Sequence, residues 1–324
     1  MVTGLEFRSY RPGDEYAIND GFNAVFDQRR TLAEWHWKFA APEDRRHIML
    51  AVDAAGAVMV HYGAIPVRLQ CGGVVLPAGQ IVDVYTRMEA RRGLAAGRAY
   101  LTTYNRFVAD HTGPERLAAC YGFPGDRALR FGVMRFSYDD IEPWAPRYLA
   151  RETVRRPGRG WGVEIVRGFD AAAIDALWER ARVRYPLAVV RDAERYRRRF
   201  LGRPGVEYVH LVGWRQGRPE VVAVVREGAP VARLADLLWD GRHERALVAL
   251  DRAVTLLARR RGATGVDGWL DGDEHAAEVL GRLGWTTHPN PLDLRTVVRV
   301  FHPAIDPARV AGRLYLTLGD SDLV

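Results

Sequence analysis

The stretch Val82-Asp83-Val84-Tyr85-Thr86-Arg87-Met88-Glu89-Ala90-Arg91-Arg92-Gly93-Leu94-Ala95-Ala96-Gly97 joins residue types that together suit a pyrophosphate. An apolar-rich strand runs into a short basic turn that contains glycine, and a long helix of small and apolar residues follows at once. Such a turn leaves backbone N–H groups unpaired at a helix N-terminus, where the helix dipole adds partial positive charge. Arg91 and Arg92 add full charges. Coenzyme A or a nucleotide is therefore the first ligand class to consider. The Walker pattern Gly-x-x-x-x-Gly-Lys is absent, and Gly93-Leu94-Ala95-Ala96-Gly97 does not give Gly-x-Gly-x-x-Gly. No His/Cys cluster has metal-ligand spacing, so no metal is expected. No Gly-x-Ser-x-Gly nucleophile elbow and no nucleic-acid-binding signature is found, and no nucleic-acid partner is expected.

The elements that would hold this turn belong to a soluble two-domain chain. Its 324 residues exceed one ordinary domain, and 48% of them are apolar, enough for real cores. No apolar run reaches the ~18 residues of a membrane span. The start Met1-Val2-Thr3-Gly4-Leu5-Glu6-Phe7 lacks the basic and apolar regions of a signal peptide. Cys71 and Cys120 make neither a ligand pair nor a disulfide framework, and read as buried thiols in a reducing cytoplasm. The net charge of +7 comes from arginine, for Lys38 is the only lysine. A solvated arginine-rich surface explains that balance, although acidic ligands would also be favoured.

The second half echoes the first at low similarity. A strand and helix, Leu5–Tyr10 and Glu15–Phe26, precede an aromatic, basic helix, Glu34-Trp35-His36-Trp37-Lys38-Phe39. Strands His47–Asp53 and Ala57–Leu69 follow, then Val74–Leu76 and Gln80–Thr86. A helix is expected over Leu94–His111, a strand over Leu117–Tyr121, a helix over Asp126–Phe131 and a strand over Met134–Tyr138. In the second half Val163–Val166, Ala171–Arg184, Tyr196-Arg197-Arg198-Arg199-Phe200, Tyr208–Trp214 and Glu220–Arg226 repeat the opening. The composition shift over Pro143–Gly160 places the link there, giving domains 1–148 and 160–324.

This order resembles the GCN5-related N-acetyltransferase (GNAT) superfamily, over nearly the whole chain as two tandem copies. The family's coenzyme A loop reads Gln/Arg-x-x-Gly-x-Gly/Ala. Gly93 and Ala95 fit its last two positions, with Ala90 where Gln or Arg belongs, or with Arg91 in that role if the loop is one residue short. Val82-Asp83, Tyr121-Gly122-Phe123-Pro124 and the segment Tyr315–Asp322 look like a bacterial subgroup of that family. The resemblance implies an α/β (α+β) fold of two mixed, mostly antiparallel sheets flanked by helices, with a splayed parallel strand pair in the first. The second copy's corresponding turn, Asp240-Gly241-Arg242-His243-Glu244, is acidic and a poor phosphate cradle, so the first copy is assigned the cofactor.

On that resemblance the pantetheine arm of acetyl-coenzyme A pairs with Val84, Tyr85 and Thr86, and its pyrophosphate lies on Arg91, Arg92, Gly93, Leu94, Ala95 and Ala96. An acceptor amine attacks the thioester directly. Asp83 is the candidate base; it could instead bind the acceptor's ammonium or pair with an arginine. Tyr121 is the candidate acid for the leaving sulfur, or a packing residue. Trp35, Trp37 and His61 are candidates for the acceptor site, with core packing as the alternative for each. Asp320 and Asp322 could reach the first site or be solvated. The expected acceptor is a small-molecule primary amine, in a cytoplasmic monomer or homodimer. Two rivals stand beside this reading: a Fem-type transferase using aminoacyl-tRNA, and a degenerate pair of copies that senses a ligand without turnover.

Overall fold

A computed structural model describes residues 4–41, 46–91, 96–135, 143–153 and 162–324. The chain forms two compact units. In the first, β1 (Glu6–Ser9), α1 (Asp14–Phe26), α2 (Leu32–Lys38), β2 (His47–Val52), β3 (Val58–Cys71), β4 (Val74–Thr86), α3 (Ala96–His111), β5 (Ala119–Gly122) and α4 (Asp126–Arg135) follow one another. Strands expected over Val74–Leu76 and Gln80–Thr86 are one continuous strand. The expected strand Met134–Tyr138 begins inside α4 instead, and its remaining residues lie outside those described.

Side-chain alternation explains why β2 is buried along its length. Ile48, Leu50 and Val52 pack with Ile18, Trp35 and Phe39 from the α1–α2 region. Met49 packs with Tyr104 and Phe107 of α3. A period of two therefore sends successive side chains into two cores, one on each face. Each large apolar side chain so buried contributes about 1.5–3 kcal/mol. Helix α2 is short and needs its cap. Thr31 Oγ1 accepts from Glu34 N at 3.2 Å, and the Glu34 carboxylate accepts from Thr31 N at 2.7 Å. Each end of this reciprocal pair satisfies a backbone N–H that the first turn cannot.

The second unit holds β6 (Tyr148–Glu152), β7 (Glu164–Arg167), α5 (Ala171–Ala181), β8 (Leu187–Val189), α6 (Ala193–Phe200), β9 (Tyr208–Arg215), β10 (Arg218–Arg226), β11 (Val231–Trp239), α7 (Glu244–Arg260), β12 (Gly265–Asp271), α8 (Glu274–Arg282) and β13 (Thr286–His288). The chain then gives β14 (Val297–Val300) to the first unit, and β15 (Leu314–Thr317) returns to the second. Pairing is mostly antiparallel, with parallel pairs β4–β5, β11–β12 and β8–β15.

The units do not follow the expected bounds of 1–148 and 160–324. The first comprises Met1–Arg68, Leu76–Pro143 and Thr296–Pro307, and the second takes Leu69–Val75, Trp144–Arg295 and Ala308–Val324. Hydrogen-bond demand explains the exchange. Strand β5 pairs with β14, Val297 opposite Gly122, while β6 pairs with β12, Gly265 opposite Glu152. Each central strand thus covers its open edge with a strand distant in sequence.

Candidate active site

In the first unit β4 and β5 run parallel for only three rungs: Ala78 with Ala119, Gly79 with Cys120 and Gln80 with Tyr121. Gly79 permits this approach, because a Cβ there would sit 3.0 Å from Ala64 Cβ and Leu117 Cδ1. Beyond Gln80, among the described residues, no rung joins the two strands. Residues 81–86 therefore present an edge without a strand partner, while β3 holds the other edge of β4.

Asp83 lies in this stretch with φ of +53°, a left-handed conformation inside a strand. The alternation breaks there. Ile81 and Val84 pack on the α3 side, whereas Val82 and Tyr85 belong to the core under α1 and α2. Asp83 also points to the α1–α2 side, where its carboxylate meets Arg30 and Lys38. One extra residue on one face is a bulge, and it turns the following backbone as it leaves β5. After β4, a tight turn at Met88–Arg91 is closed by Ala90 N donating to Arg87 O at 3.1 Å. Arg91 is exposed and donates Nε to Thr86 O at 2.7 Å. Of the expected phosphate-binding residues, Arg92, Gly93, Leu94 and Ala95 lie outside those described, and α3 starts at Ala96.

Asp83 is 7% exposed, and both its oxygens are engaged. Oδ2 accepts from Arg30 Nη1, and Oδ1 accepts from Lys38 Nζ at 2.6 Å. Arg30 is held in turn: Nε donates to Asn19 Oδ1 at 2.7 Å, and its guanidinium lies 3.7 Å over the Phe22 ring. The ring face attracts that cation. The Asp83 carbonyl accepts from His61 Nδ1–H at 2.7 Å, which fixes the His61 tautomer. Burial drives the Asp83 pKa upward, but Lys38, Arg30 and His61 overcome it and hold the group below its ordinary value. Burial pushes His61 down to about 4, so its imidazole is neutral at pH 7. A base for an ammonium needs a free oxygen and a raised affinity for protons. Asp83 has neither, and of the roles considered for it the geometry matches pairing with an arginine.

The other expected residues divide. His61 and Tyr85 gather around Asp83, their rings stacked with centroids 5.4 Å apart. Tyr85 anchors α1 by donating Oη to Ile18 O at 3.0 Å. Tyr121 is buried at the last rung of the parallel pair, opposite Gln80, at the mouth of the splay. Val84 and Thr86 are half-buried on the splayed segment. Trp35 is not at a pocket wall: it is fully buried, its ring stacked on Tyr10 at 5.8 Å, because it faces the sheet from α2. Trp37 is half-buried. Sequence reasoning missed Arg30 and Asn19, and it noticed Lys38 only as the one lysine and as a member of an aromatic, basic helix. A single lysine in an arginine-rich chain was the available signal. Burial raises the thiol pKa of Cys71 and pushes that of Cys120 up to about 12. Among the described residues no group of three or more His, Cys, Asp or Glu could hold a metal, and no helix is long and apolar enough to cross a membrane.

The same construction recurs in the second unit, with a different outcome. Strands β11 and β12 pair in parallel from Val231/Gly265 to Leu234/Gly268 and then part. A register shift leaves Ala235 unpaired against β10, just before Asp236. Arg191 precedes the N-cap of α6 as Arg30 precedes the N-cap of α2, and its Nε meets Asp236 Oδ1 at 3.2 Å. Here the gap is filled by the chain itself. Strand β15 pairs with β12, Leu270 opposite Thr317, and Tyr315 Oη donates to Leu237 O at 2.5 Å. Asp320 then reaches Arg191 Nη2 at 2.5 Å and Arg195 Nη2 at 2.6 Å. Asp320 is thus buried in the second unit, while Asp322 is exposed.

Residues 6–103 match the model of a family described as an acetyltransferase (GNAT) domain. No curated protein matches the sequence. Among solved structures, a protein of unknown function from Enterococcus faecalis V583, described as a probable N-acyltransferase, is 14% identical with a TM-score of 0.67, covering 93% of this chain and 73% of its own. A GCN5-related N-acetyltransferase from Kribbella flavida is 15% identical with a TM-score of 0.64, covering 96% and 74%. The N-myristoyltransferase of Saccharomyces cerevisiae with bound myristoyl-CoA is 12% identical with a TM-score of 0.56, covering 92% and 83%. At these identities the likeness is one of fold.

Proposed function

We propose that this chain, whose residues 6–103 match the model of an acetyltransferase (GNAT) domain, is an acyl-coenzyme A-dependent N-acyltransferase. In this reading acetyl-coenzyme A is the donor and a primary amine of a small molecule is the acceptor. The observation that carries it is the free edge of β4 after Gln80, where the parallel partner leaves and a bulge at Asp83 turns the chain. An extended pantetheine arm can pair with backbone groups of Val84, Tyr85 and Thr86 as an added strand. One N–H there would polarise the thioester carbonyl and hold the developing oxyanion. The turn into α3 would supply Arg91, Arg92 and the N–H groups of 93–96 for the pyrophosphate.

The acceptor nitrogen attacks the thioester carbon, and the carbon–sulfur bond breaks as the amide forms. The nitrogen loses one proton, and the leaving thiolate gains one. In this reading Tyr121, in the last rung of the parallel pair, returns that proton. Asp83 keeps the bulge in place through its pairs to Arg30 and Lys38, and water takes the proton from the amine. The second unit is then a diverged copy of the same fold whose gap is closed. A sequence with two cysteines and no disulfide framework suits a reducing compartment, and we place the protein in the cytoplasm.

The test is thiol release from acetyl-coenzyme A across a library of primary amines. Amine-dependent release that disappears in Gly93→Asp supports the reading. Release from no amine, with acetyl-, succinyl- or longer acyl donors, would overturn it.

A further inference from the structure

In the second unit Arg191 binds two carboxylates. Asp236 from the strand takes Nε at 3.2 Å, and Asp320, from the segment that fills the gap, takes Nη2 at 2.5 Å. In the first unit Arg30 stands at the same place relative to its helix and its strand aspartate, but it has only the first of these carboxylates. Asn19 takes Nε, Asp83 takes Nη1, Phe22 covers one face, and Nη2 is buried with no partner among the described residues. The Arg30 side chain is only 8% exposed. A buried guanidinium nitrogen without an acceptor is costly, and a planar oxyanion is the group that completes such a fork.

We propose that Arg30 Nη2 is a carboxylate-binding point of the acceptor site, so that the amine acylated by this protein also carries a carboxylate. The substrate class is then an amino acid or a compound with an amino acid's pair of groups. The chain's own Asp320 on Arg191 is the internal precedent for the contact. The substrate role rests on the acyltransferase reading, whereas carboxylate binding at Arg30 does not.

Both parts are tested on the full chain. A panel of α-amino acids is titrated calorimetrically, each beside its carboxamide, onto the wild type and Arg30→Lys; turnover of the same panel is followed with acetyl-coenzyme A. Arg30→Lys can keep the ion pair with Asp83 but loses the guanidinium fork, and a matching thermal melt verifies the fold. The expected result is binding of at least one acid about tenfold or more tighter than its amide, with the preference lost in Arg30→Lys and the loss falling on KM rather than kcat. Equal binding of acids and amides, a preference that survives Arg30→Lys, or a panel that does not bind at all would overturn the proposal. Amino acid binding through Arg30 without any acetyl-coenzyme A binding would retain the carboxylate site and sink the acyltransferase reading alone.

Discussion

Two aspartates in two units answer the same geometric problem in opposite ways. Asp83 and Asp236 each sit just past the last rung of a parallel strand pair, each beside a strand irregularity, and each is met by the arginine before a helix N-cap. Around Asp236 the gap is closed by residues 314–320, and Asp320 adds a second carboxylate. Around Asp83, among the described residues, the edge of β4 past Gln80 has no strand partner and Arg30 Nη2 has no acceptor. A splayed strand pair exposes backbone groups that need partners. The second unit meets that need with its own residues; in the first, we propose, a ligand meets it.

The largest effect is expected from separating the units at the bounds suggested by composition. A fragment of residues 1–148 lacks β14, which covers β5 from Ala119 to Gly122. We expect it to show no cooperative thermal transition, and a sharp melt like that of the full chain would show that the exchanged strand is dispensable.

Next in size is the contrast between the two arginines. Arg191→Met leaves Asp236 without a cationic partner and Asp320 with Arg195 alone, in a fully buried site, and should cost about 3–5 kcal/mol in urea unfolding. Arg30→Met leaves Asp83 paired with Lys38 and should cost about 1–3 kcal/mol. Equal costs would mean that the two sites are energetically alike and the comparison fails.

Smaller again is the acid response of the first site. His61 titrates at about 4 when folded, against ~6.5 in the unfolded chain. The unfolded state therefore takes up the proton first as pH falls. Stability from this group is whole above pH ~6.5 and declines below it, by about 3 kcal/mol on reaching pH ~4. The lowered Asp83 pKa acts later: its contribution holds above ~4 and is lost as pH drops through the folded value. Urea titrations between neutral pH and the folded His61 value should show a shallower decline in His61→Gln, and an unchanged slope would remove His61 from that response.

How much of this was legible in the sequence varies with the range of the interaction. The order of elements from β1 to β5 is a local pattern of period and punctuation, so it was readable. The exchange of β6 and β14 was not, because strand pairing depends on partners far apart in the chain. Asp83 stood out as a charge in an apolar strand, but its role depended on Arg30 and Lys38. These arrive from a loop and a helix much earlier in the chain, and no local pattern links them to β4. Trp35 and Trp37 looked alike, and the phase of α2 alone decided that Trp35 enters the core. The segment Tyr315–Asp322 was recognisable as a feature, but nothing local said which gap it fills.

The most direct test of one open gap and one closed gap is the stoichiometry of acetyl-coenzyme A binding by calorimetry, beside the variant Arg92→Glu/Gly93→Asp. One site per chain, lost in the variant, is the expected result. Two sites per chain, or one that persists in the variant, would contradict the assignment of the open gap to the first unit.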